Sequence, residues 1–316
     1  MPDAMIRTDA LERTYRSRDG SAVLALHPLD LTIGAGTVHG LLGRNGAGKT
    51  TLCRILSTVL LPTSGTATVA GFDVVRETRR VRQRVSIVFG GDRGLYGRLS
   101  ARQNVSYWGS LHGLRGARLR DRTASLLVRF GLEGREDEPV ERFSRGMKQR
   151  VHLARGLVAD PPVLLLDEPT NGMDPVAALE FRDFVRDLRA EGKTILLTTH
   201  DLAEAEAVCD ELTFIDAGRV LHSSPVERFA DAVGDACFVE SGPLPPGLAA
   251  HLEADPRIVR VTAGRAGATI VTSDRAAAED VITRLGREGV TPAGIRPPQI
   301  HEVYLQLSQK AATRAG

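Results

Sequence analysis

Cysteine is scarce. The 316 residues carry three, Cys53, Cys209 and Cys237, with no CxxC or CxxH spacing, which argues against a disulfide framework or a zinc site. The reading is small buried hydrophobes in a reducing compartment. Aromatic residues make up only 4% of the chain, with a single tryptophan. No uncharged apolar run approaches the roughly 20 residues that span a bilayer, and the opening MPDAMIRTDALERTY has no signal-peptide core. If the protein works at a membrane, another polypeptide is expected to cross it. Charge of one sign is lacking too: 41 Lys and Arg against 39 Asp and Glu leave +2, so no strong field draws nucleic acid or anionic lipid. The chain does have 42% hydrophobic and 25% charged residues, the balance of a globular protein of about two domains.

The stretch Gly43–Thr51, GRNGAGKTT, matches the phosphate-cradling pattern GxxxxGK[ST]. The apolar run Val38–Leu42 before it suits a buried strand, and Leu52–Val59 after it has helical spacing. In such a loop the glycines let backbone N–H groups turn onto an anion, and the following helix adds its positive dipole end. Gly43, Asn45, Gly46, Gly48, Lys49, Thr50 and Thr51 are therefore candidate nucleotide contacts. Lys49 would meet the β and γ phosphates, the Thr50 hydroxyl a Mg²⁺ ion, and Thr51 the α phosphate.

Other stretches surround this one. Residues 5–35 alternate like a small antiparallel sheet, with turns at Arg18–Gly20 and Gly34–Gly36. Tyr15 in this region is either a half-buried sheet aromatic or a stacking platform for a purine. Gly71-Phe72-Asp73 reads as a turn, Arg76–Arg84 as a solvated helix face, Val85–Phe89 as a buried strand, and Gly90–Gly94 as a loop. From Ser100 to Leu132 the spacing is helical, with Val105, Trp108 and Leu111 on one face, followed by Leu119, Ala124, Leu126, Leu127 and Phe130. Ser144 is a candidate N-cap for a helix running through Val158. The apolar Val163–Leu166 runs into Asp167-Glu168, so a buried strand delivers two carboxylates at its C-terminal end, where open α/β sheets place chemistry. The pair is either a plain acidic turn or a working pair. In the second case Asp167 faces a metal-bound phosphate, directly or through water, and Glu168 orients an attacking water. His200 ends a further buried strand, Thr194–Thr198, on the same sheet edge.

Five motifs in this order resemble the ATP-binding subunit of ABC transporters over roughly residues 5–225. The resemblance identifies Gly43–Thr51 with Walker A, Ser144–Gln149 with the signature usually written LSGGQ, and Val163–Glu168 with Walker B and its catalytic glutamate. It identifies Asn171–Asp174 with the D-loop, His200 with the switch histidine and Tyr15 with the adenine-stacking aromatic. It implies ATP and Mg²⁺ as cofactors, Thr50 and Asp167 on the metal, Glu168 and His200 as catalytic residues, and Ser144 and Gly146 as contacts to a nucleotide held by a second, head-to-tail copy. Arg145 and Met147 replace the usual Gly and Gln. The glutamine expected soon after Val85–Phe89 is absent, with Gly91 or a neighbour in its place and Asp92 a candidate substitute.

The fold implied is an α/β P-loop core with an antiparallel β subdomain and a helical insertion over about 95–158, together spanning 5–229. A small α+β domain follows over 230–310, with strands at 236–240, 258–262, 268–272 and near Ile295 and a helix over 276–289; a ferredoxin-like split βαβ is one arrangement for it. Its close, Arg296–Leu305, resembles the PPSLEDVF-type ending of daunorubicin-resistance ATPases. Together with Phe89–Tyr96, that favours export through a separate ABC-2-type permease, expected to dock around Leu95–Leu111; the family resemblance implies a homodimeric ATPase, peripheral on the cytoplasmic face of the membrane. Three alternatives share the motifs: an importer or lipid-moving system, a soluble ATPase acting on nucleic acid, and a nucleotide sensor with little turnover. Near-neutral charge and a single cassette count against nucleic acid.

Overall fold

Five strands whose central residues are mostly apolar and buried line up parallel, in a sheet with helices on both faces. They are β3 (Val38–Leu42), β6 (Val85–Phe89), β7 (Val163–Asp167), β8 (Thr194–Thr199) and β9 (Glu211–Asp216), and with the antiparallel β10 (Arg219–Pro225) their order is β10-β9-β3-β8-β7-β6. The computed structural model describes residues 4–16, 20–90 and 94–315, and the side chains of all these except 293 and 308–315.

Alternation along these strands supplies two cores. Leu164, Leu166, Ile195 and Leu197 face one way, against α3 (Ala101–Leu111), α4 (Gly116–Arg129), α5 (Arg145–Leu157) and α6 (Pro175–Ala190). Leu41, Leu165 and Leu196 face the other, against Leu52, Ile55 and Leu56 of α1 (Lys49–Leu56). The same second core takes Ile6, Leu29 and Ile33 from β1 (Ala4–Arg16) and β2 (Ala22–Gly34). Those two long strands join β4 (Ser64–Val69) and β5 (Phe72–Asp73) in an antiparallel sheet of order β2-β1-β4-β5. The short α2 (Thr78–Arg82) and α7 (Leu202–Val208) complete this first compact unit, Met1–Val226.

Several local expectations are corrected. Phe72-Asp73 pairs with β4 instead of turning freely. The helix after the glycine loop starts at Lys49 and ends at Leu56, leaving Val59 66% exposed. β6 is half-buried rather than buried, because it is the sheet's edge and has only β7 beside it. On α3 the capping box of Ser100 and Gln103 starts the helix where expected and Val105 is buried, but Leu111 is 60% exposed at the last turn. On α4 Ala124 is exposed and Thr123 takes the inward place. The turn at Arg18-Asp19 and the positions Gly91 and Asp92 lie outside the described residues.

The second unit, Glu227–Gly316, follows the order β11 (Cys237–Ser241), α8 (Leu248–Glu253), β12 (Ile258–Ala263), β13 (Ala268–Thr272), α9 (Arg275–Arg287), β14 (Pro292–Arg296) and α10 (Ile300–Ala315). Its sheet order, β12-β13-β11-β14, is antiparallel throughout. This is the split βαβ arrangement of the ferredoxin-like type. Its own core holds Val239, Leu252, Ile270, Ala278, Val281 and Leu285. The sequence reading anticipated neither α8 nor α10; Pro245 and Gly247 before one and Pro297-Pro298 before the other read as loop.

Candidate nucleotide-binding site

The glycine loop begins where β3 leaves the sheet, and sterics dictate its residues. A Cβ at Gly43 would stand 2.2 Å from the Ile215 carbonyl oxygen. Gly48 sits at φ +106 with its Cβ position 2.7 Å from the Ala25 carbonyl, so only glycine serves as N-cap of α1. Asn45 and Gly46 are exposed at the tip. Lys49 is 5% exposed: its ammonium donates to the carbonyls of Gly43 at 2.5 Å and Arg44 at 3.3 Å, and pairs with Glu168 Oε1 at 3.0 Å.

The carboxylates arrive from β7. Asp167 accepts from Thr50 Oγ1, at 2.9 Å on Oδ2 and 3.2 Å on Oδ1, and from Thr198 Oγ1 at 2.7 Å. Thr198 is the residue opposite Asp167 on the neighbouring strand β8, and its hydroxyl also accepts from the Glu168 N–H at 3.1 Å. Glu168 has φ +51, a left-handed conformation that turns the chain off the strand end. Gly90 makes room for that turn, since a Cβ there would lie 2.0 Å from the Glu168 carbonyl oxygen. The second Glu168 oxygen meets His200 Nδ1 at 2.6 Å. Lys49, Glu168 and His200 thus form one continuous polar chain across the ends of three neighbouring strands.

Tyr15 approaches from the antiparallel sheet. Its hydroxyl is 3.4 Å from Thr51 Oγ1, and the Arg13 guanidinium covers one ring face at 4.8 Å from the centroid. Ser144 caps α5, its hydroxyl accepting from Met147 N at 3.3 Å. Ser144 is exposed, and Gly146 packs towards Ala177 of α6, where a Cβ would be in ordinary contact. Among the described hydrogen bonds and ion pairs, none joins Ser144 or Gly146 to the glycine loop. The structure therefore gathers Lys49, Thr50, Asp167, Glu168 and His200 in one network, links Tyr15 to Thr51, and leaves Ser144 and Gly146 on a separate, outward-facing helix end.

A hydroxyl and a carboxylate within 2.9 Å of each other are the hard oxygen donors that Mg²⁺ takes when phosphate and water complete its shell. Among the described residues no three His, Cys, Asp or Glu groups form a cage that could hold a metal alone, so the donor set fits an ion that arrives with a phosphate. Cys53, beneath the loop, is buried and its thiol pKa is pushed well up by that burial; it is packing, not chemistry.

Thr198 and Arg13 escaped the sequence reading. The first had a signal in the TILLTT run beside VLLLD, but only the register of β7 on β8 reveals it. The second had none, because a basic residue two positions from a tyrosine on a strand is ordinary. Arg155 was also missed: it stacks on Trp108 at 4.7 Å and donates to the Gly94 carbonyl, and burial lowers its pKa to about 10.

Comparison with known proteins gives the family. The ABC transporter family profile matches residues 26–171. The chain is 42% identical to the ABC transporter ATP-binding protein NatA of Bacillus subtilis, over 72% of this chain and 92% of that protein. It is 39% identical to the daunorubicin resistance ATP-binding protein DrrA3 of Streptomyces coeruleorubidus, over 98% and 97%. It is 35% identical to a Nod factor export ATP-binding protein of Paraburkholderia xenovorans, over 98% of each. Among solved structures, cbiO1 of Clostridium perfringens, part of an ABC transporter complex, superposes with a TM-score of 0.64 at 33% identity, covering 72% of this chain and 92% of that one. A dimeric ATP-binding cassette in a post-hydrolysis state with ADP and Pi superposes with a TM-score of 0.64 at 25% identity, covering 70% and 98%.

Proposed function

The chain belongs to the ABC transporter family of ATP-binding subunits, and from that premise we propose that it hydrolyses ATP to power export of a small molecule through a separate ABC-2-type permease. Its relatives' names, drug resistance and Nod factor export, support the direction of transport. The observation that carries the reading is the chain Lys49–Glu168–His200 beside Thr50–Asp167.

In this reading Lys49 gives up its contact with Glu168 when phosphate oxygens enter the glycine loop, which frees the carboxylate. Glu168 then accepts the proton of the attacking water, with His200 holding its other oxygen in place. Thr50 and Asp167 would hold Mg²⁺, which would supply charge neutralisation of the phosphates. The Tyr15 face not covered by Arg13 stacks on the adenine. Ser144 is exposed and no described hydrogen bond or ion pair joins it or Gly146 to their own loop, which supports their serving the nucleotide of a second copy: the working unit is a homodimer. Residues 5–229 form the ATP-binding domain and 230–310 an accessory domain. Among the described residues no helix is long and apolar enough to cross a membrane, in keeping with a subunit held peripherally on the cytoplasmic face by its permease.

The docking surface stays within the Leu95–Leu111 stretch of the helical insertion and falls to its exposed side chains. Leu95 and Trp108 pack against the core, whereas Tyr96, Tyr107 and Leu111 are 48%, 43% and 60% exposed. Leu111 borders a groove of about 840 Å³ lined by the apolar Phe89 and Trp108 and by the basic Arg79, Arg82 and Arg155, a mixed surface onto which an amphipathic helix of a permease with acidic residues fits. Tyr96→Asp with Tyr107→Asp should abolish co-purification with the membrane subunit while ATP binding persists; retained co-purification removes this surface from the reading.

The test of the whole is Glu168→Gln. Turnover should fall about 10²–10⁴-fold, the range of a positioned general base, with ATP trapped in a stable dimer. A variant that turns over like wild type refutes the assignment.

A further inference from the structure

The helix α1 closes on a residue that resists the shape required of it. Beyond its C-cap Ser57, the Thr58 N–H reaches the Ile55 carbonyl and the Val59 N–H the Arg54 carbonyl, each at 2.9 Å. This paired ending needs a left-handed residue at Thr58, a place where glycine is usual, and Thr58 adopts it at φ +62. A β-branched side chain is a genuine outlier there. Such strain persists only where the surroundings over-determine it. Thr58 is 8% exposed, and Arg82 at the end of α2 donates from Nε to its hydroxyl at 2.7 Å and from Nη2 to its carbonyl at 3.4 Å. Glycine would close α1 without strain but would offer Arg82 no hydroxyl.

Arg82 has a second edge. A guanidinium carries five N–H donors in a planar fork, and Thr58 occupies only the edge formed by Nε and Nη2. Arg82 is exposed and lines the groove of about 840 Å³ that Leu111 borders, together with Ser57 and Val59 on either side of Thr58. Arg79 and Arg155 line it too, and none of the described lining residues is acidic. Among the described residues no carboxylate pairs with Arg82. Three guanidinium groups without a carboxylate complement an acidic occupant, and the open fork of Arg82 matches a carboxylate bidentately.

We propose that Arg82 is a bridge between the docking groove and α1: one edge of its guanidinium holds Thr58, and the other receives a carboxylate from the permease helix seated in the groove. Because α1 begins with Lys49 and Thr50, an occupant that fixes Arg82 steadies the far end of the helix that meets the nucleotide. Docking and ATP then strengthen one another, each raising the affinity for the other by the same factor. The carboxylate half rests on the docking reading given above; the hold on Thr58 does not.

The test uses the full chain, alone and in detergent complex with its membrane subunit, with Thr58→Gly, Arg82→Ala and the double variant. For the chain alone, Arg82→Ala should lower the thermal midpoint, and by far less in the Thr58→Gly background, where there is neither hydroxyl nor strain to hold; equal drops in the two backgrounds overturn the hold. Fluorescent-nucleotide titration should find ATP bound about fivefold or more tighter by the complex than by the chain alone. Thr58→Gly leaves Arg82 for the carboxylate, so its complex should form as in wild type yet lose that tightening. Arg82→Ala should weaken the complex itself about tenfold or more, the loss of one charge-assisted pair. A wild-type complex with no tightening, a Thr58→Gly complex that tightens ATP like wild type, or an Arg82→Ala chain that binds the membrane subunit at wild-type strength overturns the bridge. A wild-type chain that binds ATP but no permease sinks the docking reading and the carboxylate half with it, while the midpoints still decide for or against the hold on Thr58.

Discussion

Replacing Thr198 by valine keeps the shape of a fully buried side chain and removes one hydroxyl. That hydroxyl donates the 2.7 Å bond to Asp167 and receives the 3.1 Å bond from Glu168 N. The second is duplicated, because the same N–H reaches the Thr198 carbonyl at 3.0 Å. The first is not: among the described residues Asp167 keeps only Thr50, at 2.9 and 3.2 Å. A hydrogen bond to a charged group contributes about 1.5–3 kcal/mol, so unfolding free energy should drop by about 2 kcal/mol. At about 2–4 °C per kcal/mol for a domain of this size, the midpoint should fall about 4–8 °C. The same bond orients the carboxylate assigned to Mg²⁺, and losing about 1.5 kcal/mol of that constraint should cost about tenfold in kcat/KM for Mg-ATP. Thermal unfolding and a Mg²⁺ titration of ATPase rate check both figures. Thr198→Ser, which keeps the hydroxyl, is the control. If the valine and serine variants share one midpoint and one Mg²⁺ dependence, the reasoning about this bond is wrong.

Tyr15→Ala should raise the Kd for ATP about 5–150-fold, the range of losing about 1–3 kcal/mol of base stacking, whereas Arg13→Ala should do less, since its guanidinium holds only the far face of the ring; fluorescent-nucleotide titration separates them, and equal losses would refute the assignment of faces. In the second unit Asp255 is held well below the usual carboxylate range by hydrogen bonds from Arg257, joined by Arg284. A carboxylate lowered on folding contributes stability above its ordinary 3.8 and loses it as pH falls through the depressed value. Asp255→Asn should therefore unfold earlier than wild type at neutral pH, with the gap closing in strong acid; a gap that ignores pH rules the ion pairs out as its source.

Much of the architecture was legible because both of its signals are local. A strand buried on two faces is an unbroken apolar run, as in Val38–Leu42 and Val163–Leu166, and a glycine loop on such a strand has few other uses. The carboxylates of Asp167 and Glu168 stood out because they end that run. What the chain order hides is what arrives from elsewhere. Thr198 meets Asp167 only through strand register, and nothing in the order of residues marks Glu204, a first-turn acid of the sort a helix dipole favours, as buried. Leu111 fitted the buried face of α3 by spacing, but spacing does not say where the covering partner stops. Gly247 and Pro297-Pro298 punctuate the second unit as loops do, and the helices beginning beside them are too short or too polar to announce themselves.

The left-handed backbone at Glu168 bears on any attempt to make this protein more robust. Holding a side chain other than glycine or asparagine there costs on the order of 1 kcal/mol or more, so Glu168→Gly or Glu168→Asn relieves the local backbone while removing the proposed proton acceptor. A library selected for heat resistance alone should enrich those replacements and return folded, nucleotide-binding, idle molecules. Durability and turnover compete at one residue, and selection must demand both to keep it.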